Sequence, residues 1–288
     1  MTNKNKLMIG ASVASVSVAT TLIVMKAVAF FMTGSIAILA SLFDSVQDLM
    51  TSAINFFTVR HSLQPADTKH RFGHGKAQGI GSFVQGLILL GSALWLAFES
   101  VIHLGQQEIP THSVWGIGVT LLALVFTGIL IRFQMFVIRQ TESLSIRADN
   151  AHYNGDLMMN MGVLISLMFS YIFSVGWIDC VFGIGVSVYL LKSALYILRE
   201  AVAMLMDEEL PKHVQNKIKI QLSVLKEIKK IQDLRTRQSG CQIFIQMTLI
   251  LDGNMPLSKA HLVADKAESL IHEIYPDSEI MIHLEPEE

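Results

Sequence analysis

The N-terminal part of the chain alternates between long apolar stretches and short polar connections. A bilayer core of about 30 Å needs roughly 20 mostly apolar residues in each helix that crosses it. Six stretches meet this requirement, and the pattern predicts transmembrane helices at residues 8–32, 36–60, 78–102, 113–138, 145–174 and 177–199. The fifth prediction is the weakest, because hydropathy alone would begin that helix at Leu157.

The pattern changes after Arg199, where charged residues become frequent. Helical periodicity in "PKHVQNKIKIQLSVLKEI" is followed by two strand-like runs, with a turn signal at Ser239–Gly240 between them. An amphipathic helix begins after Pro256, and "SEIMIHLEP" is typical of a last strand. The order α-β-β-α-β predicts a small domain with two helices on one face of a sheet. Because about 80 residues bury only a marginal core, pairing with a second copy is expected.

The predicted fold is therefore an α-helical membrane protein with a small α+β domain, divided into residues 1–207 and 208–288. Composition agrees, since 51% of residues are hydrophobic and only 16% are charged, whereas a soluble domain carries about 25% charged residues. A net charge of −2 without an arginine-rich tract excludes a general affinity for nucleic acid. The two cysteines lack CxxC spacing, which argues against a disulfide framework or a thiolate zinc site.

The distribution of Lys and Arg predicts the orientation in the membrane. The basic residues lie before the first span, in the second-to-third connection and around the fourth-to-fifth connection: Lys4, Lys6, Arg60, Lys69, Arg71, Lys76, Arg132, Arg139 and Arg147. The other three connections, "TGS", "HLGQQEIPTHS" and "SVGWID", contain neither Lys nor Arg. Because cytoplasmic connections carry the excess of basic residues, both termini are expected to be cytoplasmic.

Ionisable residues occur inside two of the predicted spans. Asp44 and Asp48 are four residues apart in the second span and share one helical face. In the fifth span His152 and Asp156 have the same spacing, and Asn160 continues their face. Such residues are costly in a bilayer, so these faces should point toward the protein interior or a water-filled cavity. The face of the second span is otherwise polar as well: Ser41, Ser45, Thr51, Ser52 and Asn55.

These two faces can form a cation site. Carboxylate oxygen and imidazole nitrogen bind divalent transition metals at about 2.0–2.2 Å, and the metal neutralises carboxylates that would otherwise repel one another or bind protons. A set of buried hydrogen-bonded polar residues, or a proton relay without metal, is the alternative. Two i,i+4 pairs on separate spans, one of them containing a histidine, favour the cation pathway.

The second-to-third connection, "PADTKHRFGHGKAQ", holds a second candidate cluster. Asp67, His70 and His74 recur at spacings of three and four, so one turn or a compact loop could gather them around a cation. Spacing alone leaves a metal site and a set of solvated histidines about equally favoured, because exposed loops often carry histidines.

The motifs resemble those of the cation diffusion facilitator family of metal–proton antiporters. "SLFDSVQDL" and "RADNAHYNGDLMMN" match its D-x-x-x-D and H-x-x-x-D signature, and "HSLQPAD", "RFGHGKAQ" and "LRTRQSG" are similar to its bacterial ferrous-iron and zinc efflux pumps. The resemblance covers the whole chain. It implies a transport site of Asp44, Asp48, His152 and Asp156, a loop-bound zinc at Asp67, His70 and His74, a homodimer in the bacterial inner membrane, and exchange of cytoplasmic metal for external protons.

The resemblance also implies metal sites in the C-terminal domain, where this sequence departs from the family. His261 and His283 match ligands, and Glu285 stands where an aspartate is expected. Two further histidine positions hold Gln232 and Thr248, which are poor ligands for these ions. We expect at most one weakly bound metal at His261, His283 and Glu285; a domain that dimerises mainly by packing is equally favoured.

The function predicted from these residues is export of Zn²⁺, with Fe²⁺ or Cd²⁺ as alternatives, in exchange for protons. Metal binding by His152 requires a neutral imidazole, and an ordinary imidazole changes charge near pH 6.5, which would couple the ion to protons. A passive cation channel would use the same carboxylates without proton coupling. An intramembrane metalloprotease would need an H-E-x-x-H motif, which is absent from the sequence. A membrane-bound metal sensor is disfavoured by the reduced C-terminal ligand set.

Overall fold

The structure is a computed structural model, and it describes residues 3–34, 36–102, 114–173 and 177–287. The chain forms two compact units, Met1–Val202 and Ala203–Glu288. The functional boundary predicted between residues 207 and 208 stays a prediction. The predicted helix ends at residues 113 and 174, and the connections 103–113 and 174–176, lie outside the described residues.

The first unit is built from six long helices, as the apolar pattern predicts. They are α1 Asn3–Thr33, α2 Ile36–Ser62, α3 Ala77–Ile102, α4 Val114–Thr141, α5 Leu144–Phe173 and α6, which extends into the second unit, Trp177–Leu205. At 1.5 Å per residue these helices are roughly 39 to 46 Å long, which exceeds the thickness of a hydrocarbon core. The helical membrane fold is confirmed.

The helices differ in how apolar they are. Within the described residues, four segments are both long and apolar enough to span a membrane: Asn3–Met32, Ala77–Ile102, Gly118–Thr141 and Cys180–Leu205. The helices α2 and α5 are not among them, because they carry the polar faces that contain Asp48 and His152. Both helices therefore need neighbouring protein to cover these faces.

Packing in the first unit surrounds the polar faces with the more apolar helices. Helix α1 contacts α2 and α4, and α5 contacts α2, α3 and α4. A cluster of buried aliphatic side chains from α3, α5 and α6 includes Leu89, Ala151 and Leu190. The Leu190 side chain of α6 packs against the α5 backbone at Gly155, where a Cβ atom would lie 2.5 Å from Leu190 Cδ2. The small residue thus permits the approach directly beside Asp156.

The second unit is a small α+β fold. Its elements are α7 Lys212–Leu222, β1 Lys230–Ser239, β2 Gln242–Leu251, α8 Leu257–Ile274 and β3 Glu279–Pro286. The strand order is β1-β2-β3, with an antiparallel pairing of β1 and β2 and a parallel pairing of β2 and β3. Helix α8 makes the crossover that a parallel pair requires. The predicted order α-β-β-α-β is confirmed.

The core of this unit lies between one face of the sheet and its two helices. Ile245, Met247 and Leu249 alternate along β2 and are buried against Ile218 of α7 and Ile271 of α8. Alternation along a strand sends every second residue to the opposite face. Both helices therefore cover one face of the sheet, as the sequence predicts.

Candidate metal centre

Helices α2 and α5 bring together three of the four predicted transport-site residues. His152 Nε2 lies 3.2 Å from Asp48 Oδ1 and 3.6 Å from Asp156 Oδ2. One ligand atom from each residue lies within 4.8 Å of the other two. His152 and Asp156 are one helical turn apart on α5, while Asp48 faces them from α2.

The spacing of these three side chains suits a tetrahedral ion. Ligand atoms about 2.1 Å from a tetrahedrally coordinated metal lie about 3.4 Å from one another, and the two measured separations fall on either side of that value. Asp156 Oδ2 is buried and has no hydrogen-bond partner among the described residues. An unpaired buried oxygen is costly, so a cation between the three side chains would satisfy it.

A cavity of about 120 Å³ adjoins the cluster. Asp44, the fourth predicted ligand, lines this cavity together with Asp48, His152 and Asp156. It does not belong to the three-residue cluster. Since a water molecule occupies about 30 Å³ in the liquid, the cavity has room for an ion with several waters. The remaining lining residues come from α2, α3 and α6: Gln47, Leu89, Ser92 and Leu190.

Beyond Asp44, which is exposed, the polar face of α2 points into the protein. Ser45, Ser52 and Asn55 are fully buried, and Thr51 is nearly so. The hydroxyl group of Ser52 is hydrogen-bonded to the Tyr153 hydroxyl of α5 at 2.8 Å. The polar residues around the cluster therefore join α2 to α5 instead of facing lipid.

Asp149 is a buried acidic residue close to the cluster that the sequence analysis did not single out. Its side chain is 1% exposed and lies one turn before His152 on α5. Its Oδ2 accepts hydrogen bonds from Ser15 Oγ of α1 at 2.6 Å and from Gln134 Nε2 of α4 at 2.7 Å. The signal in the sequence was its i−3 position relative to His152, but the partners become visible only in the folded chain.

Removing the Ser15 hydroxyl should destabilise the first unit, because Asp149 then loses a buried donor. We expect Ser15→Ala to lower the free energy of unfolding by about 1–3 kcal/mol. Ser17→Ala is the matched control, since the Ser17 hydroxyl is exposed and donates to Val13 O within its own helix, and should change stability by less than about 0.5 kcal/mol. Unfolding by SDS in mixed micelles measures both; equal effects would contradict the assigned role of the Ser15 hydroxyl.

The loop between α2 and α3 gathers the second predicted cluster. His74 Nε2 lies 3.1 Å from His70 Nδ1 and 3.5 Å from Asp67 Oδ2, and His70 Nδ1 lies 3.2 Å from Asp67 Oδ1. One ligand atom from each of the three lies within 4.8 Å of the others. These separations again suit a tetrahedral metal, so the loop could hold a resident ion through two imidazoles and one carboxylate.

The loop has a defined shape because Asp67 accepts backbone hydrogen bonds. Asp67 Oδ1 accepts from the N–H of His70 at 2.6 Å and from the N–H of Lys69 at 2.8 Å. The His70 N–H bond is the main cause that lowers the pKa of Asp67 to about 2, helped by the His70 side chain and the Lys69 N–H. The carboxylate is thus ionised at any pH at which the protein would bind metal.

The low pKa of Asp67 gives a pH prediction for the metal-free loop. A carboxyl whose pKa is lowered by folding stabilises the loop above its ordinary pKa and loses that effect as the pH falls through the lowered value. We therefore expect the loop to keep its conformation from pH 7 to 4 and the Asp67 carboxyl to titrate with a midpoint near 2. Carbon NMR of aspartate-labelled protein, assigned with Asp67→Asn, measures this; a midpoint near 4 would contradict it.

His61 lies beside the loop cluster, although its spacing in the sequence gave no sign of this. Its ring centroid is 4.9 Å from that of His74, in an edge-to-face arrangement. The side chain of His74 is only 7% exposed. His61, at the end of α2, therefore covers one side of the most buried ligand of the loop.

The structure does not gather the third predicted set within one chain. Of the residues that the structure describes, two groups of three ligands come together, and neither contains His261, His283 or Glu285. His261 Nε2 lies 3.8 Å from Asp265 Oδ1, and His283 Nε2 lies 3.4 Å from Glu285 Oε1. All of them are exposed side chains.

The sheet register shows where the departures from the family pattern lie. Gln232 of β1 is paired with Thr248 of β2, which is paired with His283 of β3. The three residues form one row across the sheet, on the strand positions adjacent to those that point into the core. Two members of this row are poor metal ligands, and the carboxylate that lies beside His283 is Glu285, at 3.4 Å.

Comparison with known proteins gives matches along almost the whole chain. Residues 12–206 match the model of the cation efflux transmembrane domain, and residues 210–287 match that of the cytoplasmic domain of cation efflux proteins. Cation-efflux pump FieF of Salmonella choleraesuis (strain SC-B67) is 42% identical, over 96% of this chain and 92% of that protein. Cation-efflux pump FieF of Klebsiella pneumoniae subsp. pneumoniae is 41% identical over the same shares.

Solved structures also match, over a smaller part of the chain. A structure of CzrB is 28% identical, covering 27% of this chain and 99% of that chain with a TM-score of 0.26. Its zinc form is 27% identical, covering 28% of this chain and 93% of that chain with a TM-score of 0.25.

The family matches agree with the motifs, the six helices and the α+β unit described above. They confirm the resemblance to transporters and exclude the metalloprotease alternative. The chain is a multi-pass membrane protein that belongs to the cation efflux family, also called the cation diffusion facilitator family, and it is a transporter and not an enzyme.

Proposed function

We propose that this chain exports divalent transition-metal ions from the bacterial cytoplasm in exchange for protons. The observation that carries the proposal is the cluster of Asp48, His152 and Asp156, which offers three ligand atoms within 4.8 Å of one another between two membrane-crossing helices. Asp44 lines the adjoining cavity and acts as the fourth ligand. Zn²⁺ is the first substrate, with Fe²⁺ and Cd²⁺ as alternatives, since oxygen and imidazole ligands suit these ions.

The mechanism is alternating access around this site. In the inward-facing state a metal ion meets ionised carboxylates and a neutral His152, so binding displaces any proton from the imidazole. In the outward-facing state protonation of His152 and of one carboxylate weakens the site, and the ion leaves. The protonated carrier then returns. The arrangement of His152 Nε2 between Asp48 and Asp156 supports this coupling, because one proton at that atom competes with the metal for both carboxylates.

Three further parts of the proposal concern assembly and the other metal sites. The chain works as a homodimer in the inner membrane with both termini cytoplasmic, which the distribution of Lys and Arg supports. The loop cluster of Asp67, His70 and His74 holds a resident metal ion that fixes the connection between α2 and α3. The C-terminal unit dimerises mainly by packing and binds at most one metal weakly at His261, His283 and Glu285.

A proton gradient imposed on reconstituted vesicles tests the proposed exchange. The vesicles start with equal zinc concentrations on both sides. An inward-directed proton gradient should then drive zinc out, so that a zinc gradient builds up, and reversing the proton gradient should reverse the direction of zinc flux. A passive channel, the second candidate, would show no net flux under equal zinc once the membrane potential is clamped. Zinc flux that does not depend on the proton gradient would therefore contradict the antiporter hypothesis and favour the channel hypothesis.

A further inference from the structure

Lys26 places an ammonium group inside the membrane-crossing part of α1. The surrounding sequence, "LIVMKAVAFF", is otherwise apolar, and the residue is only 9% exposed. A buried ammonium is costly unless polar groups and opposite charges surround it. The groups that surround Lys26 therefore show how its ammonium is stabilised inside the membrane-crossing part of the protein.

The ammonium is held on the face of α2 that carries the transport carboxylates. Lys26 Nζ donates hydrogen bonds to Ser41 O at 3.0 Å and to Ser45 Oγ at 2.7 Å. Ser41 lies three residues before Asp44, and Ser45 lies three residues before Asp48, so all four share one side of the helix. Both acceptors are neutral, which keeps the ammonium close to the carboxylates without a direct ion pair.

The charge of Lys26 acts on every carboxylate of the proposed site. Its electrostatic partners are the three carboxylates Asp44, Asp48 and Asp156. When these groups are ionised, three carboxylates and one ammonium leave two negative charges, which a single divalent ion neutralises. In low-dielectric surroundings such charges interact much more strongly than in water, so the ammonium opposes the binding of any cation beside it.

We propose that Lys26 is a tethered counter-ion of the transport site. It offsets part of the negative charge of the carboxylates when no metal is bound. It also lowers the affinity of the site for a divalent ion, so that the ion can be released. Lys26 is a positioning residue in this scheme, because it acts on the ion through the field at Asp44, Asp48 and Asp156 and does not bind it. The inference rests on the proposed function, since it takes those carboxylates as metal ligands.

A counter-ion and a purely structural lysine predict opposite effects on metal affinity. Loss of a structural lysine would disturb the packing of α1 on α2 and weaken binding. Loss of a counter-ion removes repulsion and tightens binding. Lys26→Gln separates the two, because its amide can still donate to Ser41 O and Ser45 Oγ but carries no charge. Lys26→Arg is the matched control that retains the charge.

Calorimetric titration of Zn²⁺ into the purified protein measures the effect. The titration is made at pH 8, where few protons compete, in a His70→Ala/His74→Ala background that removes the loop cluster. We expect Lys26→Gln to bind Zn²⁺ at least about tenfold more tightly and to turn over more slowly in vesicles, while Lys26→Arg stays close to the parent. Equal or weaker binding by Lys26→Gln overturns the inference. If that variant does not elute as a folded protein, Lys26→Met takes its place with the same two outcomes.

Asp156→Asn in the same background distinguishes this inference from the proposed function. If it leaves zinc binding intact, the ion does not bind at the proposed site, and the proposed function fails together with the inference. If Asp156→Asn abolishes binding and Lys26→Gln leaves the affinity unchanged, the transport site stands and only the role of Lys26 is overturned.

Discussion

Asp156→Asn and Asp48→Asn should each reduce zinc flux in reconstituted vesicles at least about 100-fold. Losing a residue that only hydrogen-bonds to a metal ligand already costs about 10–100-fold in affinity or activity. These variants lose a charged ligand itself, so the effect should be larger. The amide keeps the size of the side chain but cannot neutralise a cation. Because both carboxylates face the same imidazole nitrogen, the double variant should be little worse than either single variant.

Asn154→Ala is the matched control for these variants. Asn154 is on the same helix as Asp156, but its amide bonds to Asn150 O and Asn150 Oδ1 within the helix, and it is absent from the cavity lining. Zinc flux in vesicles with the Asn154→Ala protein should stay close to that of the parent protein. Flux at the parent level in Asp156→Asn, with normal expression and folding, would mean that the ion does not pass through this cluster.

His152→Ala should weaken zinc binding by at least about tenfold and flatten its dependence on pH. The imidazole is the one ligand of the cluster that must be neutral to bind metal and that contacts both carboxylates. Without it, acidification can release the ion only by protonating carboxylates. Zinc affinity measured from pH 6 to 8 and flux driven by a proton gradient report both effects.

His213→Ala controls for the loss of a histidine elsewhere, since His213 is an exposed residue of α7. It should leave affinity, pH dependence and coupling unchanged. If zinc affinity in the His152→Ala protein keeps the pH dependence of the parent protein, another group couples zinc to protons, and the proposed mechanism is contradicted.

The sequence predicted the secondary-structure elements best where one hydrophobic pattern dominates a segment. The long apolar runs located all six helices, and the strand-like runs on either side of Ser239–Gly240 located the first two strands of the second unit. The i,i+4 pairs identified the helical faces that meet at His152 and Asp48, because ionisable residues on a membrane-crossing helix must face other protein groups. Local spacing was also sufficient for the loop, whose three ligands lie within eight residues of one another.

Contacts between distant helices could not be predicted from the sequence. The donors to Asp149 come from Ser15 and Gln134, on two other helices, and no spacing rule connects them. Likewise, the acceptors of Lys26 lie on α2, and only the packing of α1 on α2 brings them within reach. Such contacts depend on how the helices are rotated about their axes, which a pattern within one helix does not determine.

Zinc-edge anomalous diffraction from crystals of the zinc-loaded protein tests the central claim most directly. We expect a peak between α2 and α5 in each chain, about 2.0–2.2 Å from ligand atoms of Asp48, His152 and Asp156, and its loss in Asp156→Asn crystals while the peak at the loop cluster remains. Zinc found at the loop but not between α2 and α5, in protein that actively transports zinc, would contradict the account.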